Sequence, residues 1–382
     1  MKIQFEKNPE QIELIKALAS DNKTVALEAQ EAFAAFISTV VQQVLEQAGT
    51  ASMIYRDVEF DDEDAPSIPL DLYYGQNEGS VSVWSQTVGG GLPTNFVQGM
   101  QEMKINTYRL DSAISMDKRY VRRARLDVVA AGLERMANEI LVKQERNAWA
   151  VILKLLAEAS TQGQSHVVRS SADQTFQIDD MNTIWTLVRR LNAAYTGGTP
   201  QAFQSRGLTD LFVSPEVKAQ IRSFAYQPMN TRGANGTATS ATNSLALPDS
   251  VREQIYRGAG ATEIFGVTIN EMLELGKNRK YNALFDTFAG STNYYKYGTS
   301  TGSAFDNGTG ASDDELVIGI DASRNAFLRP VAVQSESRGQ VKVLPDDQFL
   351  SRSQKVGFYS FVEEGRVAVD ARAAVGLIVG TA

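Results

Sequence analysis

The sequence predicts an α+β fold with more than one core-bearing unit. Three observations predict it. A helical apolar pattern runs over residues 118–159, strand-like alternation fills much of 66–110, and the last stretch from Leu316 onward is a succession of short strands. The chain has 382 residues, of which 43% are apolar. That allows two or three units, since domains typically run about 100–200 residues.

The elements follow in order. Residues 8–48 read as helical, with Pro9 suited to a first turn and Ser20-Asp21-Asn22 offering a break and a cap. Val25, Leu27, Phe33, Phe36, Ile37, Val40, Val41, Val44 and Leu45 make an apolar stripe that ends before Gly49. Such a stripe must be buried, either on the chain's own core or as an arm on another subunit. Six of the eight residues from Asp57 to Asp64 are acidic. This run lacks the glycine turn and distant glutamate of an EF-hand, so basic partners are expected rather than a metal.

From Pro66 to Met103 there is no Lys or Arg. Ile68, Leu70, Leu72 and Tyr74, then Val81 and Val83, alternate like strands, separated by turn signals at Asn77-Glu78-Gly79 and Gly89-Gly90-Gly91-Leu92-Pro93. A long two-stranded ribbon is marginal alone. It must fold onto its own domain or lie on something else.

Over 118–159, Leu126, Val129, Leu133, Met136, Ile140, Ala148, Val151, Ile152 and Leu155 recur at three- and four-residue steps, and no proline occurs between Pro93 and Pro200. About 40 helical residues would make a rod about 60 Å long. Its start carries Lys118, Arg119, Arg122, Arg123 and Arg125. Cations there oppose the helix dipole and lack an aromatic stacking platform, so pairing with an acidic surface such as 57–64 of another copy is expected rather than nucleic acid.

A helix at Asp179–Tyr195, a buried strand at Leu211-Phe-Val, and a helix capped by Ser214 with Pro215 in its first turn come next. Residues 229–247 and 289–313 read as polar surface loops around helix and strand signals at Asp249–Leu275. Strands are expected at Leu316–Ile320, Phe327–Val333, Val341–Leu344, Gly357–Val362, Val367–Val369 and Val375–Val379.

The chemistry available is sparse. The chain has no cysteine, which excludes disulfides, thiolate nucleophiles and iron–sulfur ligation. Its one histidine, His166, lies in a polar stretch after the long helix, where an exposed and inert side chain is expected. There is no P-loop and no Gly-x-Ser-x-Gly elbow, and Gly258-Ala-Gly260 lacks the third glycine of a dinucleotide fingerprint. No catalytic residue, metal or cofactor is expected, although an enzyme using carboxylates or a Ser/Lys pair stays open. No apolar run approaches about 18 residues, so no membrane span is expected. Residues 1–10 have no signal-peptide core. A net charge of −8 argues against a protein that wraps nucleic acid.

The order of parts resembles the major capsid proteins of tailed bacteriophages, with their Hong Kong 97-type fold. Three stretches carry the likeness: Lys104-Ile-Asn-Thr-Tyr-Arg-Leu-Asp-Ser-Ala-Ile-Ser leading into the long helix; Thr209-Asp-Leu-Phe-Val-Ser-Pro-Glu-Val-Lys-Ala-Gln-Ile-Arg as a strand–helix step; and residues 354–378 as a closing pair of strands with a small-residue turn. The resemblance implies an N-terminal arm (1–65), an extended β-ribbon loop (66–110), a peripheral domain (111–175 and 311–365) with a spine helix at 118–159, and an axial domain (176–310 and 366–382). It also implies hexamers and pentamers of an icosahedral shell enclosing double-stranded DNA without sequence-specific binding. Scaffolding, portal or decoration proteins would be partners, and the protein would sit in the virion after assembly in the host cytoplasm. Inter-subunit contacts are then expected at Tyr73, Tyr74, Trp84, Phe96, Asp61, Asp62, Glu63, Asp64, Arg119, Arg122, Arg123 and Arg125. No lysine lies between Lys23 and Lys104, so the lysine–asparagine cross-link of some family members is not expected. The arm is short, so a separate scaffolding protein, or none, is expected. A cargo-holding nanocompartment shell of the same fold is the alternative.

Overall fold

The computed structural model describes residues 9–20, 22–47, 49–61, 66–69, 102–123, 126–161, 164–194, 207–223, 263–307, 313–333, 341–345 and 355–380. In chain order these form α1 (Pro9–Leu18), α2 (Lys23–Gln47), β1 (Arg56–Asp61), β2 (Ser67–Pro69), β3 (Glu102–Lys104), β4 (Tyr108–Asp117), α3 (Lys118–Arg122) and α4 (Leu126–Glu158). Then come β5 (Ser160–Thr161), β6 (Gln164–Ser165), β7 (Val167–Arg169), α5 (Ile178–Ala194), β8 (Asp210–Val213), α6 (Pro215–Ser223), β9 (Glu263–Ile264) and β10 (Val267–Glu271). The chain continues through α7 (Lys280–Ala289), β11 (Asn293–Tyr295), β12 (Gly302–Ala304), β13 (Glu315–Ile320), β14 (Phe327–Val333), β15 (Lys342–Pro345), β16 (Lys355–Glu364), β17 (Val367–Ala368) and β18 (Ala374–Val379). The fold is α+β. Two compact units divide it. Among the described residues the first draws on Met1–Asp71, Gly99–Ala148 and Phe327–Val367, and the second on Trp149–Ala326 and Ala368–Ala382.

In the first unit, β16 is the central strand. β4 runs antiparallel along its whole length on one side, from Lys355–Asp117 to Glu364–Tyr108, and β15 pairs it on the other. β14 joins at Glu364 and carries β1 in parallel. Alternation puts Val356, Phe358, Ser360, Val362 and Glu364 on one face of β16. Val356, Phe358 and Val362 pack with Phe33, Ile37 and Val41 of α2, Ile15 and Leu18 of α1, and Leu133, Met136 and Ile140 of α4. Phe33, Ile37 and Val41 of the α2 stripe are therefore buried on the chain's own sheet, whereas Val25 and Phe36 are exposed. The break before α2 falls where Asn22 predicts it, with Asn22 Oδ1 accepting from the Thr24 amide at 3.3 Å.

In the second unit, a mixed sheet runs β7-β18-β13-β8-β10-β9. Every residue of β13 and β18 is buried, so these strands read as continuous apolar runs rather than alternating ones. One face meets α5 and α6 through Leu211, Val213, Val317, Val375 and Leu377. Phe212 points the other way and meets the Trp149 ring edge-on, centroids 4.9 Å apart. Gly319 is the close approach in this sheet: a Cβ there would lie 2.6 Å from Leu208 Cδ1 and 2.9 Å from Val375 Cγ2.

Three expectations are corrected. The rod predicted at 118–159 is two helices. Asp117 caps α3, whose last turn closes at Arg123, and α4 then runs from Leu126 for about 50 Å. Consecutive cations opposing the dipole make this the weak end of the pattern. Residues 289–313 are not all loop: β11 and β12 form a hairpin that buries Tyr294 and Phe305 against Phe285 of α7, because aromatic residues alternate with the polar ones. His166 is fully buried rather than exposed, since it leads directly into β7, the edge strand beside β18.

Candidate assembly surfaces

The predicted extended loop starts and ends on a defined base. β2 and β3 pair antiparallel, Ser67 opposite Lys104 and Pro69 opposite Glu102, and the Ile105 amide donates to Pro66 O at 3.0 Å. Past Ile105 the chain is locked to the end of β16. Thr107 Oγ1 donates to Glu363 Oε1 at 2.8 Å, and Tyr108 Oη to Glu364 Oε1 at 2.9 Å. The other oxygen of Glu364 accepts from Arg329 Nε at 2.7 Å, Gln144 Nε2 at 3.1 Å and Arg366 Nη2 at 3.3 Å. Arg329 reaches on to Asp57 at 3.3 Å. One fully buried carboxylate thus ties β1, β4, β14, β16 and α4 together.

The electrostatics of this joint are self-consistent. A buried carboxylate needs partners for most of its lone pairs, and Glu364 has them. Burial raises the Tyr55 phenol, only partly opposed by nearby Arg366, so it stays a donor, to Ala148 O at 2.9 Å. Tyr108 is pushed up to about 12 by burial, with the Glu364 charge adding to it. The Arg366 guanidinium lies 4.8 Å over the Tyr55 ring, a cation–π contact. Gly365 lets the chain pass: a Cβ there would stand 3.1 Å from both Ile105 Cγ2 and Pro330 Cγ.

The opposite face of this sheet is aromatic and half exposed. By register, Tyr359 and Phe361 share it with Leu344, Lys342 and Asp111. Arg109 lies 3.8 Å over the Phe361 ring and pairs with Asp111 at 2.7 Å, and Tyr359 Oη donates to the same Asp111 oxygen at 2.6 Å. The hydroxyl bond to Asp111 raises Tyr359, and the bonds from Tyr359 and Arg109 hold Asp111 low.

Of the residues expected at subunit contacts, Asp61, Arg119, Arg122 and Arg123 are exposed. Arg122 Nε also donates to Ala19 O at 3.3 Å, at the end of α1. Tyr73, Tyr74, Trp84, Phe96, Asp62, Glu63, Asp64 and Arg125 lie outside the described residues. The acidic run begins with an internal partner: Asp57 is taken by Arg329 of the same chain.

The second unit has its own buried charges. Arg169 is bidentate with Asp314, at 2.8 and 3.2 Å, and its remaining donors go to Ala304 O and Ser303 O of β12. Asp180 accepts from the Ser171 and Gln177 amides at 2.8 Å each, and burial raises it. Ser214 Oγ donates to Glu315 at 2.8 Å while accepting from the Val217 amide as a helix cap; burial raises Glu315 too. His166 Nδ1 is 3.1 Å from Ala374 O, and burial lowers its pKa. Each of these groups faces the protein's own backbone, a hydroxyl or a salt-bridge partner. Among the described residues no cluster of three His, Cys, Asp or Glu could hold a metal. No described helix is long and apolar enough to cross a membrane.

No protein-family model and no curated protein matches the chain. Solved structures do. The capsid of cyanophage P-SCSP1u aligns over 86% of this chain and 87% of that one, with 11% identity and a TM-score of 0.49. The capsid of the native GTA particle aligns over 87% and 91%, with 14% identity and a TM-score of 0.46. The cyanophage Pam1 capsid asymmetric unit aligns over 86% and 88%, with 13% identity and a TM-score of 0.46.

The Glu364 joint was not singled out from sequence. The signal was present: continuing the inward alternation of Val356, Phe358, Ser360 and Val362 puts Glu364 on the buried face. A carboxylate at an inward position demands cations, and Arg366 stands two positions on, but nothing local says that Arg329 supplies the other.

Proposed function

We propose that this chain is a shell-forming major capsid protein of the Hong Kong 97 type, without catalytic activity. The observation that carries this is the short two-stranded base of β2 and β3, which brackets the loop expected at 66–110 and leads into β4, where a buried ionic joint ties it to β16. A stretch that holds Tyr73, Tyr74, Trp84 and Phe96 without a single Lys or Arg, between such firmly held ends, suits a segment that completes its burial on a neighbouring copy. The half-exposed aromatic face around Tyr359, Phe361 and Leu344 is a fitting surface to receive it. The discontinuous build supports the same reading, since the chain makes a second unit between two visits to the first. Hexamers and pentamers would then close into a shell around DNA by repeated head-to-tail contacts. Scaffolding, portal and decoration proteins would be its partners, and Asp61, Arg119 and Arg123 would belong to subunit contacts.

The test is particle formation. Purified protein is passed over a sizing column, and the void fraction is imaged by negative-stain electron microscopy. Closed shells tens of nanometres across, or hexamer rings, are expected, with DNA rather than a protein cargo inside particles from infected cells. A monomer whose residues 66–105 resist protease would overturn the proposal.

A further inference from the structure

The first unit leaves a basic cluster uncompensated at one end of its sheet. Four of the six residues from Lys118 to Arg123 are cations. Arg119 and Arg123 stand one helical turn apart, so they share a face, and both are exposed. Lys16, in the last turn of α1, and Lys355, the register partner of Asp117, are exposed at the same end. The chain after α1 touches α3 there, where Arg122 Nε donates to Ala19 O at 3.3 Å. Among the described residues Lys16, Arg119, Arg123 and Lys355 form no salt bridge. Asp117 has one oxygen taken by the Arg119 amide, at 2.9 Å. Cations at a helix start oppose the dipole, so the fold gains nothing from them locally.

The acids that could answer them lie at the other end of the same sheet. β1 is an edge strand, paired only with β14 among the described residues. Alternation puts Asp57, Glu59 and Asp61 on one face of it. Arg329 holds Asp57, whereas Glu59 and Asp61 are exposed and form no salt bridge among the described residues. Glu59 lies beside Val331, which faces Glu364, and Asp117 faces Lys355, nine residues back along β16. At about 3.3 Å per residue the two clusters stand about 30 Å apart. No side chain spans that distance, so they cannot neutralise one another within a chain.

We propose that the Arg119–Arg123 face of one copy docks on the Glu59–Asp61 face of β1 in the next. The occupant is a second copy because each chain exposes both halves of the pair and compensates neither. The two faces are different surfaces of one chain, so the contact is heterologous and repeats head to tail. Exposed ion pairs are individually weak and screened by salt. Their work is to steer and orient the approaching subunit, and repetition around an assembly multiplies their effect. This contact rests on the shell reading and names two surfaces that meet within it. Asp57 opens the acidic run but takes no part, because its partner is internal.

The test is charge exchange. Arg119→Glu/Arg123→Glu and Glu59→Lys/Asp61→Lys are each expected to lose most of the assembled fraction on a sizing column, at unchanged melting temperature of the unassembled chain. The chain carrying all four substitutions is expected to regain it, because reversal on both sides restores the pairing. A second measurement covers a reversed chain that fails to fold, and it uses the absence of cysteine. Arg123→Cys and Asp61→Cys chains, co-expressed and oxidised, are expected to give a disulfide-linked dimer that neither gives alone. Either the rescue or the mixed dimer would establish the contact. Wild-type particles with neither would overturn it and leave the shell reading standing. So would α3 variants that assemble like wild type but retain less DNA, which would assign these cations to nucleic acid. Absence of any wild-type assembly, with 66–105 protected from protease, would overturn the shell reading and the contact with it.

Discussion

The Glu364 joint of the first unit and the β13–β18 pair of the second solve the same problem in opposite ways. Both fix where strands lie. The joint does so with a buried carboxylate shared by Arg329, Arg366, Gln144 and Tyr108. The pair does so with apolar residues alone, all of them buried. Apolar packing is tolerant of detail as long as volume is conserved, whereas a buried ion network demands each partner in place. The difference teaches where directional precision is concentrated: where β4 and β16 meet the β2–β3 base, a place at which several strands and a helix must agree.

Substitutions sharpen that contrast. Glu364→Ala leaves two buried guanidinium groups without their carboxylate and is expected to lower stability by about 3–5 kcal/mol, read as the shift of the urea midpoint; an unchanged midpoint would break the comparison. Leu377→Ala, in the centre of the apolar sheet, is expected to lose about 2–5 kcal/mol by lost transfer energy and a residual cavity. Leu377→Met should recover most of that loss, while no isosteric apolar change should rescue Glu364→Ala as well as Glu364→Gln does.

The pH response should separate the groups by sign. Burial holds His166 below its ordinary value near 6.5, so the unfolded chain takes up the proton first. Its contribution is full above that value and is lost as pH falls through the depressed one. Asp180 and Glu315 are raised by burial, so the folded chain protonates first and they act in the opposite direction as the solution is acidified. His166→Gln is therefore expected to flatten the loss of melting temperature just below pH 6.5, and an unchanged slope there would remove His166 as its source. The smallest effect on the fold belongs to Arg119→Gln/Arg123→Gln. Both side chains are exposed, so a change within about 0.5 kcal/mol is expected. The yield of assembled particles should nevertheless fall if these cations face a neighbour's acidic surface.

Much of the fold was legible where periodicity was strong. The break at Asn22, the strand Phe327–Val333, the Ser214 cap of α6 and the last strand all follow from spacing and capping chemistry. What failed did so for a stated reason. His166 looked exposed because its neighbours in sequence are polar, but burial is decided by which strand lies alongside, and β18 arrives from the far end of the chain. The β11–β12 hairpin was hidden in a polar stretch because only Tyr294 and Phe305 face inward.

The sequence by itself determined most of the helices and strands and the missing chemistry of cysteine and paired histidine. These depend on neighbours within a few residues, through backbone sterics and the 3.6- and 2-residue periods. Only the tertiary structure decided that Glu364 would gather Arg329, Gln144 and Tyr108, and that Arg169 would close on Asp314. Those are contacts between residues tens to hundreds of positions apart, and long-range geometry, not local propensity, chooses among the many cations, carboxylates and apolar groups that could have met.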